Sequence, residues 1–382
     1  MIRSTAIALL AALTATSCAP QGGPGPAANR AAQEAPRNFI VFLGDGVGTA
    51  YWTAARLAKG ELAVESMRVS GLTDTRSSDS DVTDSAAGAT VYATGIRTYN
   101  GAIGVGDRCR ELFAADSAAV MRDPAACEPL ETVFDLAFDR GIATGLVATS
   151  SLTHASPASF GAKVPYRRMQ AEIATQLAAR PIDVMLGGGR GWFDGALRAD
   201  RQNILTELCS TATCLETADQ LAAYRPDDRR LVGLFANDGM PVAAERMPDL
   251  AGMTRAALER LAAEENGFFL FVEGSQPDWR GHDNRSLQMV VDEMLDYDAA
   301  IGVGLEYARQ DGETLVLVVA DHETGGLSLV LEDGGVSARY TTGSHTAEMT
   351  PHFAFGPGAD RFGGILPNDR IGQMLVELVR AR

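Results

Sequence analysis

Five histidines occur in this chain, and four of them, His154, His282, His322 and His345, lie in turns rich in Gly, Ser or carboxylates. The segment FFLFVEGSQPDWRGH puts Glu273, Asp278 and His282 in one strand-to-helix turn. The four-residue step from Asp278 to His282 lets both side chains reach one ion once a helix has begun. A second segment, VVADHETGG, sets Asp321 and His322 at the mouth of an apolar run. Imidazole mixed with carboxylate suits zinc, and all-oxygen sets suit magnesium. Either segment alone also reads as a capped turn or a surface ion pair; together on one rim they argue for a metal centre. A third segment, TDSAAGATVYATG, sets Asp84 and Ser85 before a run of small residues. Ser and Asp cap helices, which is one reading of Ser85. The other is a nucleophile placed where N–H groups and the helix dipole favour an anion. No histidine stands beside it as in a triad, so a metal ion is what could activate the hydroxyl.

These groups need a frame. Continuous apolar runs at 38–43, 143–149, 183–186, 267–272 and 314–320 read as strands covered on both faces. Between them, 167–179, 251–265 and 287–308 carry helical patterns. Alternation of this kind predicts an α/β fold with a large, mostly parallel central β-sheet sandwiched between helices on both faces. In such a sheet the carboxyl ends of the strands form one rim. The runs end at Asp45, near His154 and Ser156, at Glu273, Asp278 and His282, and at Asp321 and His322. The GDGVG turn lacks GxGxxG spacing, and Asp45 would repel a pyrophosphate, so a cation suits it better.

The composition is that of an ordinary globular protein, 46% apolar and 21% charged over 382 residues. A net charge of −16 argues against a nucleic-acid partner. The start, MIRSTAIALLAALTATSCAP, has a basic tip, a short apolar run and small residues, as an export signal does, and is too short to span a membrane. Its end resembles a lipoprotein-processing box, so Cys18 either carries a lipid anchor or leaves with a cleaved signal. Export leads to the periplasm, a membrane-anchored lipoprotein or secretion. Residues 1–18 are thus a signal and 19–36, rich in Gly, Pro and Ala, a flexible tether. Cys109, Cys127, Cys209 and Cys214 remain, and the simplest pairing in an oxidising compartment is Cys109–Cys127 with Cys209–Cys214.

The segments GDGVG, TDSAAGATVYATG, YNGAIGV, HASP, IDVMLGGGR, EGSQPDWRGH, ADHETGG and GSHTAE occur in this order over nearly all of the chain after the tether, and this resembles the alkaline phosphatase family. The resemblance implies hydrolysis of small phosphate monoesters through a phosphoserine at Ser85, which would be both cap and nucleophile. It implies two Zn²⁺ and one Mg²⁺ per chain. Asp278, His282 and His345 would hold one zinc, and Asp45, Asp321 and His322 the other. Asp45 would bridge to magnesium, held by Ser156 and Glu273, with His154 a further candidate ligand there. Arg167 would grip the phosphate, with Arg168 the neighbouring alternative, and Asp84 would orient that arginine. Paired cations about 4 Å apart stabilise the attacking and leaving oxygens of an in-line displacement. His154 and Trp279 stand where relatives vary, and His352 matches no ligand position. Residues 37–382 would form a single catalytic domain with surface inserts near 105–130 and 190–235, as a homodimer or a monomer. A sulfatase would need a C/S-x-P-x-R context, which Ser85 lacks. A family diesterase often carries Thr as nucleophile, and a binding lipoprotein needs no nucleophile at all.

Overall fold

The computed structural model describes residues 35–122, 127–332 and 334–382; the signal, Cys18 and nearly all of the tether lie outside the described residues. Strands β1 (Asn38–Gly44), β2 (Val69–Asp74), β3 (Ala143–Ser151), β4 (Val184–Gly188), β5 (Ala212–Leu215), β6 (Arg230–Leu234), β7 (Phe268–Gly274) and β8 (Thr314–Ala320) come first in the chain. Four short strands follow: β9 (Glu323–Thr324), β10 (Ser328–Glu332), β11 (Gly335–Arg339) and β12 (His345–Thr346). Then come β13 (Thr350–Phe355) and β14 (Gly364–Pro367). Ten of the strands build one sheet in the order β14-β2-β13-β8-β1-β7-β3-β4-β6-β5. Within it β13 runs antiparallel to β2 and β8, and the other pairings are parallel.

The apolar runs become the centre of this sheet because both their faces are covered. Phe39, Val41 and Leu43 of β1 pack with Tyr92, Phe134 and Phe160 on one side. Ile40 and Phe42 pack with Met294 and Tyr297 on the other. Each such side chain contributes about 1.5–3 kcal/mol when fully buried. The long helix Leu287–Asp311 closes the second face, and the helices Ser85–Thr94, Val133–Asp139 and Asn368–Arg380 close the first. Central strands β8, β1, β7 and β3 lie side by side and parallel, so their carboxyl ends open on one rim.

Differences from the sequence reading fall at the margins. The helix read from residue 167 begins at Gln170; ahead of it the Arg167 N–H donates to the Gly101 carbonyl at 2.8 Å. The stretch 190–235, read as a surface insert, supplies β5 and β6, the last two strands of the central sheet. The stretch 105–130 carries the helices Arg108–Ala115 and Ser117–Arg122 over a small cluster of Tyr99, Val105 and both its cysteines. Both disulfides pair as read, Cys109–Cys127 and Cys209–Cys214. Among the described residues no helix is long and apolar enough to cross a membrane.

Candidate active site

Asp45 follows β1 directly, and Gly46 after it adopts φ +72°, a left-handed turn that favours glycine. A Cβ on Gly46 would also lie 2.8 Å from the Asp278 Cα, so the turn packs against the helix Gln276–His282. The Gly46 N–H donates to Asp321 Oδ1 at 3.1 Å, tying the end of β1 to the end of β8. Ser85 opens the helix Ser85–Thr94, every residue of which is buried. Small residues permit that burial: a Cβ on Gly88 would lie 2.9 Å from the Asp321 Cβ, so only a bare helix face approaches the strand end this closely. The capping role read for Ser85 belongs instead to Asp84. Asp84 is extended (φ −101°, ψ 168°), and its Oδ1 accepts from the Ala87 N–H at 3.0 Å, leaving the Ser85 hydroxyl free of that duty.

That hydroxyl lies 3.3 Å from His322 Nε2. The same nitrogen is 3.5 Å from Asp45 Oδ1 and 3.4 Å from Asp321 Oδ2. A second knot gathers Asp278, His282 and His345. Asp278 Oδ1 is 3.3 Å from His282 Nε2 and 3.5 Å from His345 Nε2, and the two Nε2 atoms face each other at 3.1 Å. In both rings Nδ1–H donates to a backbone carbonyl, His282 to Gly343 at 2.8 Å and His345 to Thr83 at 2.9 Å. These bonds fix the tautomer and leave the Nε2 lone pairs pointing inward, the arrangement of ligating histidines. The His322 and His345 rings stack 3.5 Å apart, which places the two knots side by side.

Among the described residues three groups of donor atoms fall within the reach of one ion: Asp278 with His282 and His345, Asp45 with Asp278 and His322, and Asp45 with His154 and Glu273. The first brings together the three residues read as one zinc set, and the third puts His154 beside Asp45 and Glu273 of the set read for magnesium. In the second, Asp278 joins Asp45 and His322, so Asp278 stands between two sites, while Asp321 approaches through His322. Ser156 Oγ faces the Glu273 carboxylate without reaching hydrogen-bond geometry. The donor set fits divalent cations, because both Asp45 oxygens, Asp321 Oδ2, Glu273 Oε1, Ser156 Oγ and His154 Nδ1 are buried without any hydrogen-bond partner. Such orphaned atoms are costly unless a cation takes them. The electrostatics agree. In the metal-free chain burial, then Asp321, raises Asp45 well above the carboxylate range. Burial and Asp278 push Asp321 up to about 8, and burial pushes Glu273 up to about 7 against the hydroxyls of Ser275 and Ser150. His322 is held well below its ordinary value by burial and by His345.

Arg167 lies beside this centre. Its Nη1 donates to Asp84 Oδ2 at 2.9 Å, and its Nη2 is 3.4 Å from His154 Nε2. Asp84 Oδ1 also accepts from Gly101 N–H at 3.0 Å, so the carboxylate that steadies the guanidinium is itself steadied. Burial and Arg167 drive His154 down to about 3, so this ring is neutral. Arg168, the open alternative, is exposed and lies over the Tyr166 ring at 6.0 Å. His352 is buried on β13, between the Thr73 hydroxyl at 2.8 Å and the Phe362 carbonyl at 2.6 Å, and it joins none of these donor groups. Sequence reasoning missed Thr324, whose hydroxyl donates to Asp278 Oδ1 and lies 3.3 Å from His322 Nδ1. Its place two residues beyond His322 in ADHETGG was the available signal.

The family model "Alkaline phosphatase" matches residues 36–339. The chain belongs to the alkaline phosphatase family. It is 34% identical over 368 residues to alkaline phosphatase 3 of Bacillus subtilis, spanning 91% of this chain and 74% of that one. It is 33% identical over 452 residues to streptomycin-6-phosphate phosphatase of Streptomyces griseus, with 96% and 94% of the two chains covered. The solved alkaline phosphatase of the Antarctic bacterium TAB5 superposes with a TM-score of 0.80 at 33% identity, covering 91% of this chain and 99% of that one. A histidine-to-aspartate variant of that enzyme, TM-score 0.79 and 34% identical, was solved with magnesium bound in its M3 site. As a member of this metal-dependent family the chain is a phosphatase, and hydrolysis of phosphate monoesters is its expected activity.

Proposed function

We propose that this alkaline phosphatase works through a phosphoserine at Ser85, with two Zn²⁺ and one Mg²⁺ per chain. One observation carries the reading: a buried serine at a helix start stands 3.3 Å from His322, beside three overlapping donor sets and an arginine clamped by Asp84. Asp278, His282 and His345 would hold one zinc, Asp45, Asp321 and His322 the other, and Asp45, Ser156 and Glu273, with His154, the magnesium. Bound there, divalent ions supply positive charge that favours an ionised serine oxygen and offsets charge on the departing alcohol oxygen.

The chain's own groups do the rest. The planar guanidinium of Arg167 grips two nonbridging phosphate oxygens, and Asp84 fixes its plane. Ser85 gives its hydroxyl proton to water and Oγ attacks phosphorus in line; a P–Oγ bond forms, the bond to the alcohol breaks, and the alcohol oxygen takes a proton from water, so that one proton is lost and one returned. Water then attacks the phosphoserine from the same side as the departed alcohol. The P–Oγ bond breaks, Ser85 regains its proton, and inorganic phosphate leaves. Residues 1–18 as an export signal support action outside the cytoplasm, where the two disulfides would persist. Cys18 would be lipidated or lost with the signal, and nothing in the sequence favours a nucleic-acid partner.

Ser85→Ala is the test. It should lower turnover of p-nitrophenyl phosphate at least about 1,000-fold while zinc and magnesium per chain stay at the wild-type level. Acid-quenched wild type should carry one labelled phosphate on Ser85. An unaltered rate, or label on another residue, overturns the assignment.

A further inference from the structure

The sequence contains one motif that the metal centre and Arg167 leave without a task, the GGGR turn at 187–190. Its glycines receive another chain segment at backbone distance. A Cβ on Gly188 would fall 2.0 Å from the Asp238 carbonyl oxygen, and one on Gly191 2.8 Å from that of Asn237. In return Gly189 N–H donates to the Ala236 carbonyl at 3.0 Å and the Asp238 carbonyl at 2.8 Å, and Gly191 N–H to the Asn237 carbonyl at 2.8 Å. The 236–240 loop is pinned on two further sides. Met240 N–H donates to the Thr149 carbonyl at 2.9 Å, and the Gln276 side-chain amide donates to the Met240 carbonyl at 2.7 Å. A loop held from three directions is a fixed wall.

Gly239 is the part of that wall facing the active site. An added Cβ would lie 2.5 Å from Cη2 and 3.0 Å from Cζ3 of the Trp279 indole. Gly239 does not have a positive φ, so space and not backbone conformation requires a glycine here. The same indole meets the His154 ring edge-on, centroids 6.1 Å apart. His154 Nε2 in turn is 3.4 Å from Arg167 Nη2. We propose that Gly239 is a positioning residue for the phosphate grip of Arg167, acting through Trp279 and His154. The inference rests on the reading of Arg167 given above. With the loop unable to retreat, a methyl at 239 drives the rigid indole toward His154, and the imidazole toward the guanidinium. A displacement of about 1 Å at a clamp can cost up to about 100-fold, and a relayed shift of a fraction of that is expected here.

The test is a double-mutant cycle of Gly239→Ala and Trp279→Phe on the metal-loaded full-length protein, with inorganic phosphate as the probe in calorimetric titration. Gly239→Ala should weaken phosphate binding about tenfold and shift the tryptophan emission at unchanged metal content. In the Trp279→Phe background, where the ring atoms nearest Gly239 are gone, the same alanine should cost less than about twofold. Should Gly239→Ala alone fail to fold, recovery of the fold in the double variant supports the steric relay, and failure of both overturns it. Unchanged phosphate binding in Gly239→Ala, or an equal loss in both backgrounds, also overturns it. Wild-type protein that binds no phosphate would overturn the reading of Arg167 as the phosphate grip, whereas an indole emission unmoved by Gly239→Ala would overturn the steric relay itself.

Discussion

The two histidine knots of the site are chemically alike and differently housed. His322, Asp45 and Asp321 have no exposed side-chain surface and stand on strand ends. The His282 side chain is 38% exposed, and its knot is assembled from a short helix and the two-residue strand β12. The inner knot collects carboxylates that water cannot reach, so its charge must be answered by protons or cations. The outer knot holds a single carboxylate, Asp278, itself buried, and opens to solvent on its His282 side. A shared ligand type therefore does not mean a shared strength of metal retention; burial decides it.

Substitutions in the two knots should separate most widely in activity. Asp321→Asn should lower kcat/KM by about 1,000-fold, several kcal/mol of lost charge stabilisation, with no recovery in excess zinc. His282→Ala should lose about 10–100-fold and recover much of it as zinc is raised. Equal losses that ignore added zinc would erase the distinction drawn here.

Acidity should report the same contrast in stability. In protein stripped by chelator, the folded chain keeps protons on Asp321 and Glu273, raised by burial to about 8 and about 7, that the unfolded chain has lost above the ordinary carboxylate range. That contribution is complete below the unfolded values and disappears as pH rises through the folded ones. The urea midpoint of the stripped protein should thus fall between about pH 5 and about pH 8, by at least about 2 kcal/mol in unfolding free energy. Loaded protein should show the reverse trend, since ions bind deprotonated ligands, and Asp321→Asn should flatten the slope. A stripped protein with a level profile would mean that the inner carboxylates are not crowded.

The smallest effect belongs to the residue joining the knots. Thr324 donates to Asp278 of the outer one and can accept from His322 Nδ1 of the inner one, which leaves His322 Nε2 as a lone-pair donor. Thr324→Val keeps the shape and removes both bonds; it should cost about 3–10-fold in kcat/KM, one hydrogen bond's worth, and weaken zinc at both positions. A loss of zinc from one knot alone would show them to be uncoupled.

What could be read from the chain follows from where each contact is encoded. Strand β8 runs over 314–320 as its uninterrupted apolar residues indicate, and β1, β3 and β7 agree to within a residue or two, because burial on both faces writes itself into local composition. Strand β6 is short and follows the charged stretch RPDDRR, and β13 and β14 alternate or expose their side chains, so the sheet's edges carried no such mark. In the site, the gathering of Asp45, Glu273, Asp321 and His322 could be anticipated because the parallel topology sends strand ends to one rim. The capping by Asp84, the bridge through Thr324 and the wall behind Trp279 depend on distances between segments far apart in the chain, which no local pattern records.

The excursion from β9 to β12 has an architectural consequence. The chain leaves the site at Thr324 and returns at His345, and these two residues are ladder partners, as are Glu323 and Thr346. Like a hem stitched at its edge, this seam holds the rim where the β10–β11 ribbon departs, and Gly343 on the returning thread braces His282. Cloth can be added or trimmed along the β10–β11 ribbon with the imidazole of His345 left in place, which makes this the location where the molecule can gain or shed a whole annex while its chemistry stays unchanged.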